Sequence, residues 1–187
     1  MEIETKLKSL EEVYRPHAIY EDLGVSDKGS VHSYIPEYEK LLAPYREGSC
    51  VMEIGCNQCH SLKMWDEYFI NSKLYGVDIW DGFVNYLSDE QKMRITVIVA
   101  DATKPEFLDK FNYTLDVAID DGSHIEADQM ATYNLLKSKM NKGSIYIIED
   151  ILNPEKTSPK FEALGFTAID LRKNKNRFDD YLLIKYF

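Results

Sequence analysis

Two short apolar runs that end in paired acids constrain the fold more than any other feature of this chain. One is Leu115-Asp-Val-Ala-Ile-Asp-Asp-Gly-Ser-His124; the other is Ile145-Tyr-Ile-Ile-Glu-Asp150. Short, nearly continuous apolar runs read as buried parallel strands, and ligands of open α/β sheets bind beyond the carboxyl ends of such strands. Side by side, the two tips gather Asp120, Asp121, Glu149 and Asp150, with His124 close behind. Four carboxylates in a small volume repel one another unless protons, a metal or a cationic ligand neutralise them. The paired tips are therefore the candidate site, and a metal is the expected occupant.

Other segments repeat the pattern. Cys50–Ile54 runs into Gly55, Leu74–Val77 ends at Asp78, and Ile95–Ala100 ends at Asp101. Between them, Leu62, Trp65, Tyr68 and Phe69 recur at helical spacing, as do Ile125, Tyr133, Leu136 and Met140. Strand alternating with helix predicts a parallel sheet covered on both faces. Phe166–Leu171 and Tyr181–Phe187, separated by polar residues, predict an antiparallel hairpin at the end. Upstream, Leu7, Leu10, Val13 and Tyr14 suggest an amphipathic helix before Pro16; residues 24–32 read as a polar stretch, and a second helix carries Tyr38, Leu41, Leu42 and Tyr45. The expected fold is α/β: a Rossmann-like, doubly wound, mostly parallel seven-stranded sheet with an antiparallel C-terminal hairpin. Residues 1–187 are read as one domain, with a helical N-terminal extension or cap (1–48) on a Rossmann-like core (49–187).

A net charge of −10 argues against a nucleic-acid partner, which needs a basic face. Arg172, Lys173, Lys175 and Arg177 form a local basic cluster, read here as a solvated hairpin tip. No apolar run is long enough to span a bilayer and no signal-peptide pattern opens the chain. Three cysteines, Cys50, Cys56 and Cys59, crowd one turn, which speaks against a disulfide framework and for a reducing, cytoplasmic setting.

The loop after the first strand is where a doubly wound fold cradles a nucleotide, and the acids Asp78 and Asp101 end the next two strands in register with it. Cys56-Asn-Gln-Cys-His60 spells a haem-attachment motif, but that chemistry requires export, and a tight turn in a parallel sheet leaves no room for haem. Structural zinc needs four ligands where Cys56, Cys59 and His60 supply three at most.

Taken together, Asp27-Lys28-Gly29-Ser30-x-His32-x-Tyr34, Glu53-Ile54-Gly55, Ser61-Leu-Lys-Met-Trp65, Tyr75-Gly-Val-Asp78, Ile119-Asp-Asp-Gly-Ser-His124 and Ile148-Glu-Asp150 resemble the class I S-adenosylmethionine-dependent methyltransferases. More closely, they are similar to the metal-dependent sugar O-methyltransferases of macrolide and aminocoumarin biosynthesis. The resemblance covers residues 24–150 by motif.

It implies S-adenosylmethionine and Mg²⁺ as cofactors and a hydroxyl of a sugar or other small molecule as acceptor. Glu53, Gly55, Asn57 and Ser61 would border the methionine end of the cofactor. Asp78 with Ile79 would meet the ribose, Asp101 with Ala102 the adenine, and Asp120 and Lys28 would complete the pocket. Asp121 and Asp150, with Glu149 beside them, would ligate the metal; Asp121 and His124 would be the catalytic pair, His124 as general base. Lys28 and His32 would lie in a segment closing over the cofactor. Acceptor recognition would fall to that segment, the loops or another subunit of a homo-oligomer. The chain departs from the family at Cys59-His60, where Gly-Gly is usual. That departure keeps two alternatives open: an enzyme acting on S-adenosylmethionine itself, or a non-catalytic binding protein on a decayed scaffold.

Overall fold

The computed structural model describes Lys6 and residues 26–187; the helix expected before Pro16 lies outside the described residues. Seven strands form one sheet: β1 Cys50–Ile54, β2 Lys73–Asp78, β3 Ile95–Val99, β4 Leu115–Asp120, β5 Met140–Ile148, β6 Thr167–Asp170 and β7 Tyr181–Tyr186. Their spatial order is β3-β2-β1-β4-β5-β7-β6. The first five pair in parallel, while β7 runs antiparallel to β5 and β6. The order reverses between β1 and β4, so the carboxyl ends of those two strands flank the crevice where such sheets bind ligands.

Burial on both faces explains why β4 and β5 read as continuous apolar runs. Val117, Ile119, Ile145 and Ile147 enter one core layer; Ala118, Tyr146 and Ile148 enter the other. Leu115 breaks the alternation: it shares the layer of Ala118, because the pairing of β4 with β5 shifts register between Leu115 and Val117. Helices cover both faces: α1 Asp27–Ser30, α2 Ile35–Leu42, α3 His60–Tyr68, α4 Asp89–Arg94, α5 Glu126–Leu136, α6 Pro154–Glu162 and α7 Arg172–Lys175. The α2 residues Tyr38 and Leu42 pack into the same layer as Trp65 and Tyr68 of α3. At Gly76 of β2, a Cβ would stand 2.5 Å from the Leu62 side chain, so the glycine lets α3 lie close on the sheet.

Three local expectations change. Residues 27–30 form a helical turn, with Ser26 Oγ capping the Lys28 N–H, and this polar stretch buries Lys28 and His32. Helix α6 carries no apolar periodicity over Pro-Glu-Lys-Thr-Ser-Pro-Lys-Phe-Glu; a proline at its first position starts it, and Phe161 anchors it in the core. The basic cluster lies at an exposed hairpin tip, as expected, and what changes is that its charges are paired. Arg172 pairs with Asp170 and Glu155, Arg177 pairs with Asp179, and Lys175 Nζ binds the carbonyl oxygens of Gly29, Ser30 and His32.

Candidate functional site

The chain reaches the site through a close backbone crossing. Gly55 has φ +85°, and a Cβ there would sit 1.9 Å from the Asp121 carbonyl oxygen. The Asp121 N–H donates to the Ile54 carbonyl at 2.9 Å. Glycine is thus required at position 55 by the turn after β4, whatever binds nearby. Beyond it, His124 (φ 58°) and Asp150 (φ 54°) both adopt the left-handed conformation, which costs a side-chain-bearing residue about 1–3 kcal/mol. Strain of this kind is kept where the surrounding structure holds a side chain in place for use.

Those two residues converge on Asp121. His124 Nε2 lies 3.1 Å from Asp121 Oδ1 and 3.7 Å from Asp150 Oδ2. Asp121, His124 and Asp150 each offer a donor atom within 4.8 Å of the others. Two carboxylate oxygens and one imidazole nitrogen, partly open to solvent, suit a small divalent cation that keeps several waters.

The N-terminal segment supplies the partners of these acids. Lys28 Nζ contacts Glu149 Oε1 at 2.6 Å, Asp121 Oδ2 at 2.8 Å and Glu53 Oε1 at 3.6 Å. Tyr38 Oη also donates to Glu149 Oε1. Tyr34 Oη donates to Asp150 Oδ1 at 2.6 Å, and His32 Nδ1 lies 3.4 Å from that same oxygen and 3.7 Å from Asp180 Oδ1. Glu149 is therefore committed to Lys28 and Tyr38, while Asp121 and Asp150 face His124.

Charge states follow from these contacts. Burial alone would neutralise Lys28, yet Asp121, Glu149 and Glu53 keep its ammonium protonated well above the ordinary range. Burial also works against a charged His124, but the hydrogen bond and field of Asp121, with Asp150 behind, outweigh it and raise the imidazole to about 9. Asp150 is pushed up by burial and by Asp121. For Asp121, burial is overcome by Lys28 and His124, and its carboxyl stays below the usual range.

Beside this cluster lies a cavity of about 390 Å³, bounded by Gly55, Asp78, Ile79, Asp101, Ala102 and Asp120. Asp78 accepts the N–H groups of Asn57 and Trp80, both at 2.9 Å; Asp101 accepts the Thr103 N–H and hydroxyl. Asp120 is raised to about 7 by burial, opposed by hydrogen bonds from the Gly122 N–H and Tyr146 Oη. Glu53 and Ser61 are buried behind the loop after β1 and do not line the cavity. Glu53 Oε1 accepts the Trp65 indole N–H at 2.9 Å, but its Oε2 is buried with no partner. An orphaned buried carboxylate oxygen at that loop fits a cationic group such as the amino end of methionine.

The Cys59-His60 departure is resolved locally. Cys59 caps α3 in the left-handed conformation (φ 62°) that a glycine would take more easily, and its buried Sγ lies 3.3 Å from the Phe83 carbonyl oxygen. His60 Nε2 pairs with Gln58 Oε1, and burial together with Lys63 lowers its imidazole to about 4. The thiol thus packs into the core, not into the crevice.

Sequence reading left Tyr38 between core and pocket lining and missed Asp180 as a partner of the site. Tyr38 sits among apolar residues at helical spacing, which does not say what its hydroxyl meets, and nothing near Asp180 marks it as buried beneath His32. No described helix is long and apolar enough to cross a membrane.

With this geometry, the sheet order is that of a class I methyltransferase fold. No protein-family model matches the chain. The 8-demethyl-8-alpha-L-rhamnosyl tetracenomycin-C 2'-O-methyltransferase of Streptomyces olivaceus is 35% identical over 137 residues, 67% of this chain and 35% of that protein. The mycinamicin VI 2''-O-methyltransferase of Micromonospora griseorubida is 33% identical over 134 residues, 66% of this chain and 32% of that protein. The chain spans about a third of the length of these curated relatives. Among solved structures, the MycE methyltransferase of the mycinamycin biosynthetic pathway, in complex with Mg and SAH, superposes with a TM-score of 0.69 at 26% identity. That match takes in 87% of this chain and 45% of the MycE chain. The resemblance drawn from the motifs therefore holds in both sequence and fold: the relatives are sugar O-methyltransferases of antibiotic biosynthesis.

Proposed function

We propose that this chain forms the cofactor- and metal-binding core of an S-adenosylmethionine-dependent O-methyltransferase acting on a hydroxyl of a sugar or other small molecule. The observation that carries the reading is the Asp121–His124–Asp150 group placed beside a cavity flanked by Asp78 and Asp101. In this reading Asp78 and Asp101 hold the ribose and adenine, and the free oxygen of Glu53 faces the methionine amine. Ile79 and Ala102 shape the walls, Gly55 sets the turn, and Asn57 and Ser61 act from outside the cavity, in the loop after β1 and the first turn of α3. The carboxylates also favour a cationic sulfonium over its neutral thioether product. Asp121 and Asp150 would hold Mg²⁺, with His124 beside them.

A divalent cation held by Asp121 and Asp150 would supply Lewis acidity that lowers the pKa of the acceptor hydroxyl. His124, not a ligand in this reading, would take the hydroxyl proton on Nε2 as the carbon–sulfur bond breaks and the new carbon–oxygen bond forms. Asp121 and Asp150 hold that imidazole protonated, so its role as base depends on their charge being neutralised first. The net charge of −10 favours a neutral small-molecule acceptor over a nucleic acid.

Calorimetry with S-adenosylmethionine, followed by methyl transfer to a glycoside with and without a chelator, tests the reading. Binding together with chelator-sensitive transfer supports it. Absence of binding at millimolar cofactor refutes it. The packing of Cys59 into the core removes the motive for a decayed, non-catalytic scaffold.

A further inference from the structure

The N-terminal segment that brings Lys28, His32 and Tyr34 to the site is held from its other side by the connection between β6 and β7. The helical turn α1 uses its first carbonyls internally: Asp27 accepts from Val31 and His32, and Lys28 accepts from Tyr34. The carbonyl oxygens of Gly29, Ser30 and His32 go instead to the Nζ of Lys175, the last residue of α7, the latter two at 3.2 and 2.7 Å. An ammonium carries three donors, so one side chain can answer all three. From the same connection, Asp180 Oδ1 accepts the Ser33 N–H at 3.0 Å, and the Asp179 carbonyl oxygen lies 3.1 Å from Tyr34 Oη. A cation thus holds carbonyls of the segment and an anion holds an N–H, across 143 to 147 residues of sequence. Lys175 is exposed, whereas the side chains of Lys28, His32 and Tyr34 are buried.

The same segment covers the deep end of the crevice. Glu53 Oε2 is buried without a partner, and Glu53 does not line the cavity, so a ligand amine reaches that oxygen only after something moves. Of the neighbours of Glu53, Trp65 and Ser61 belong to α3, whereas Lys28, 3.6 Å from Oε1, rides on the segment. We propose that the β6–β7 connection is the latch of this segment: Lys175 and Asp180 are positioning residues that hold it shut and set the rate at which the cofactor exchanges. This rests on the S-adenosylmethionine reading given above. Lys175 bonds backbone on the outer side of the segment and does not line the cavity, so it stabilises the closed form alike with and without cofactor. A contact that does not distinguish the two states changes how often the segment opens and leaves the equilibrium affinity alone. Exposed charges pair weakly enough for such a latch to open and close in each turnover.

The probe is S-adenosylhomocysteine, the demethylated product of the cofactor, added to the full chain without acceptor. Lys175→Met keeps the apolar stem and deletes the three carbonyl bonds. Stopped-flow fluorescence should show association and release both faster by about tenfold, with Kd within about threefold of the wild type. In the ligand-free variant the Ser33 amide should exchange its hydrogen about tenfold faster, while amides of β4 and β5 keep their rates. Lys173→Met deletes a charge from the same turn, leaves the carbonyl bonds in place and should behave as the wild type. A wild-type rate of Ser33 exchange in Lys175→Met overturns the inference. A Kd that rises in step with the release rate also overturns it, because Lys175 would then shape the pocket. Equal acceleration by Lys173→Met overturns it as well, because net charge would then be responsible. If Lys175→Met does not fold, Lys175→Gln is judged by the same criteria. A wild type that binds no S-adenosylhomocysteine at millimolar ligand removes the methyltransferase reading, and the inference with it. A wild type that binds, but whose rates Lys175→Met leaves unchanged, removes the inference alone.

Discussion

The acids at the tips of β4 and β5 and those at the tips of β2 and β3 occupy equivalent places on the sheet, yet they are satisfied in opposite ways. Asp101 is exposed and Asp78 half-buried, and both accept only backbone N–H groups and a hydroxyl from nearby loops: Asp101 from Thr103, Asp78 from Trp80 and from Asn57 of the loop after β1. Asp121, Glu149 and Asp150 are served by Lys28, Tyr38 and Tyr34, at separations of 93 to 121 residues. The difference is one of solvent. An exposed carboxylate needs only a local turn to fix its direction. A buried one needs a charge or a strong donor, and the chain must bring that from far away. The first pair is therefore suited to bind and release a neutral ribose or base. The second is suited to hold a cation.

The largest effect should come from the buried side. Asp150→Asn removes a charge from the divalent-cation group while keeping the Tyr34 hydrogen bond, and methyl transfer should fall by about a thousandfold, read as kcat at saturating cofactor. A smaller loss that added Mg²⁺ restores would mean that Asp121 and His124 suffice. On the exposed side, Asp78→Ala should raise the cofactor Kd by about ten- to a hundredfold, through lost hydrogen bonds, and leave kcat nearly intact. Equal losses of kcat in both variants would erase the distinction between the tips.

Stability should divide in the same way. Tyr34→Phe strips a buried hydroxyl that serves Asp150 and also lies 3.1 Å from the Asp179 carbonyl oxygen. Denaturant unfolding should register a loss of about 1–3 kcal/mol. Asp101→Asn, at an exposed tip, should change stability by less than about 0.5 kcal/mol. Comparable losses at the two positions would mean that the N-terminal segment does not serve as the partner of the acids.

This division also explains what could be read in advance. The sheet was legible because β1, β4 and β5 are buried on both faces, and such burial writes itself as unbroken apolar runs. The acids were legible because they interrupt those runs. Lys28 was placed in the segment over the cofactor, but its carboxylate partners were not legible, nor were those of Tyr38 and Asp180, since nothing in a short polar turn or an aromatic helix face says which distant residue it meets. Helix α6 was invisible for a related reason: one phenylalanine and two prolines carry no period, and it is packing that selects the helix. The Cys59 departure looked like an obstruction because its left-handed backbone, which turns the thiol toward Phe83, is not encoded in residue type.

Titration sharpens the comparison further. His124, raised to about 9, should be doubly protonated in the ligand-free protein at neutral pH, which its ring resonances report by NMR. A folded-state value above that of the free imidazole contributes stability fully present below about 6.5 and lost as pH rises through about 9. The melting difference between wild type and His124→Gln should follow that course. A ring that titrates near the ordinary value would mean that Asp121 and Asp150 are already neutralised.

Asp120 is the intermediate case, a buried acid on the wall of an open cavity, and it should give the smallest signal. Burial raises its carboxyl to about 7, while the Gly122 N–H and Tyr146 hydroxyl, which favour the charged form, hold it from going higher. Because the folded state keeps a proton that the unfolded chain gives up near pH 4, linkage makes the stability contributed by Asp120 fall as pH rises from about 4 to about 7 and level off above that. Asp120→Asn cannot ionise and is nearly isosteric, so subtracting its melting temperature from that of the wild type cancels the other titrations. The difference should fall by a few degrees across that window and stay flat at higher pH. A difference that is flat throughout would mean that Asp120 is charged in the fold, answered by a cation in the manner of Asp121; the boundary between the two kinds of tip would then lie at the cavity wall and not at the buried cluster.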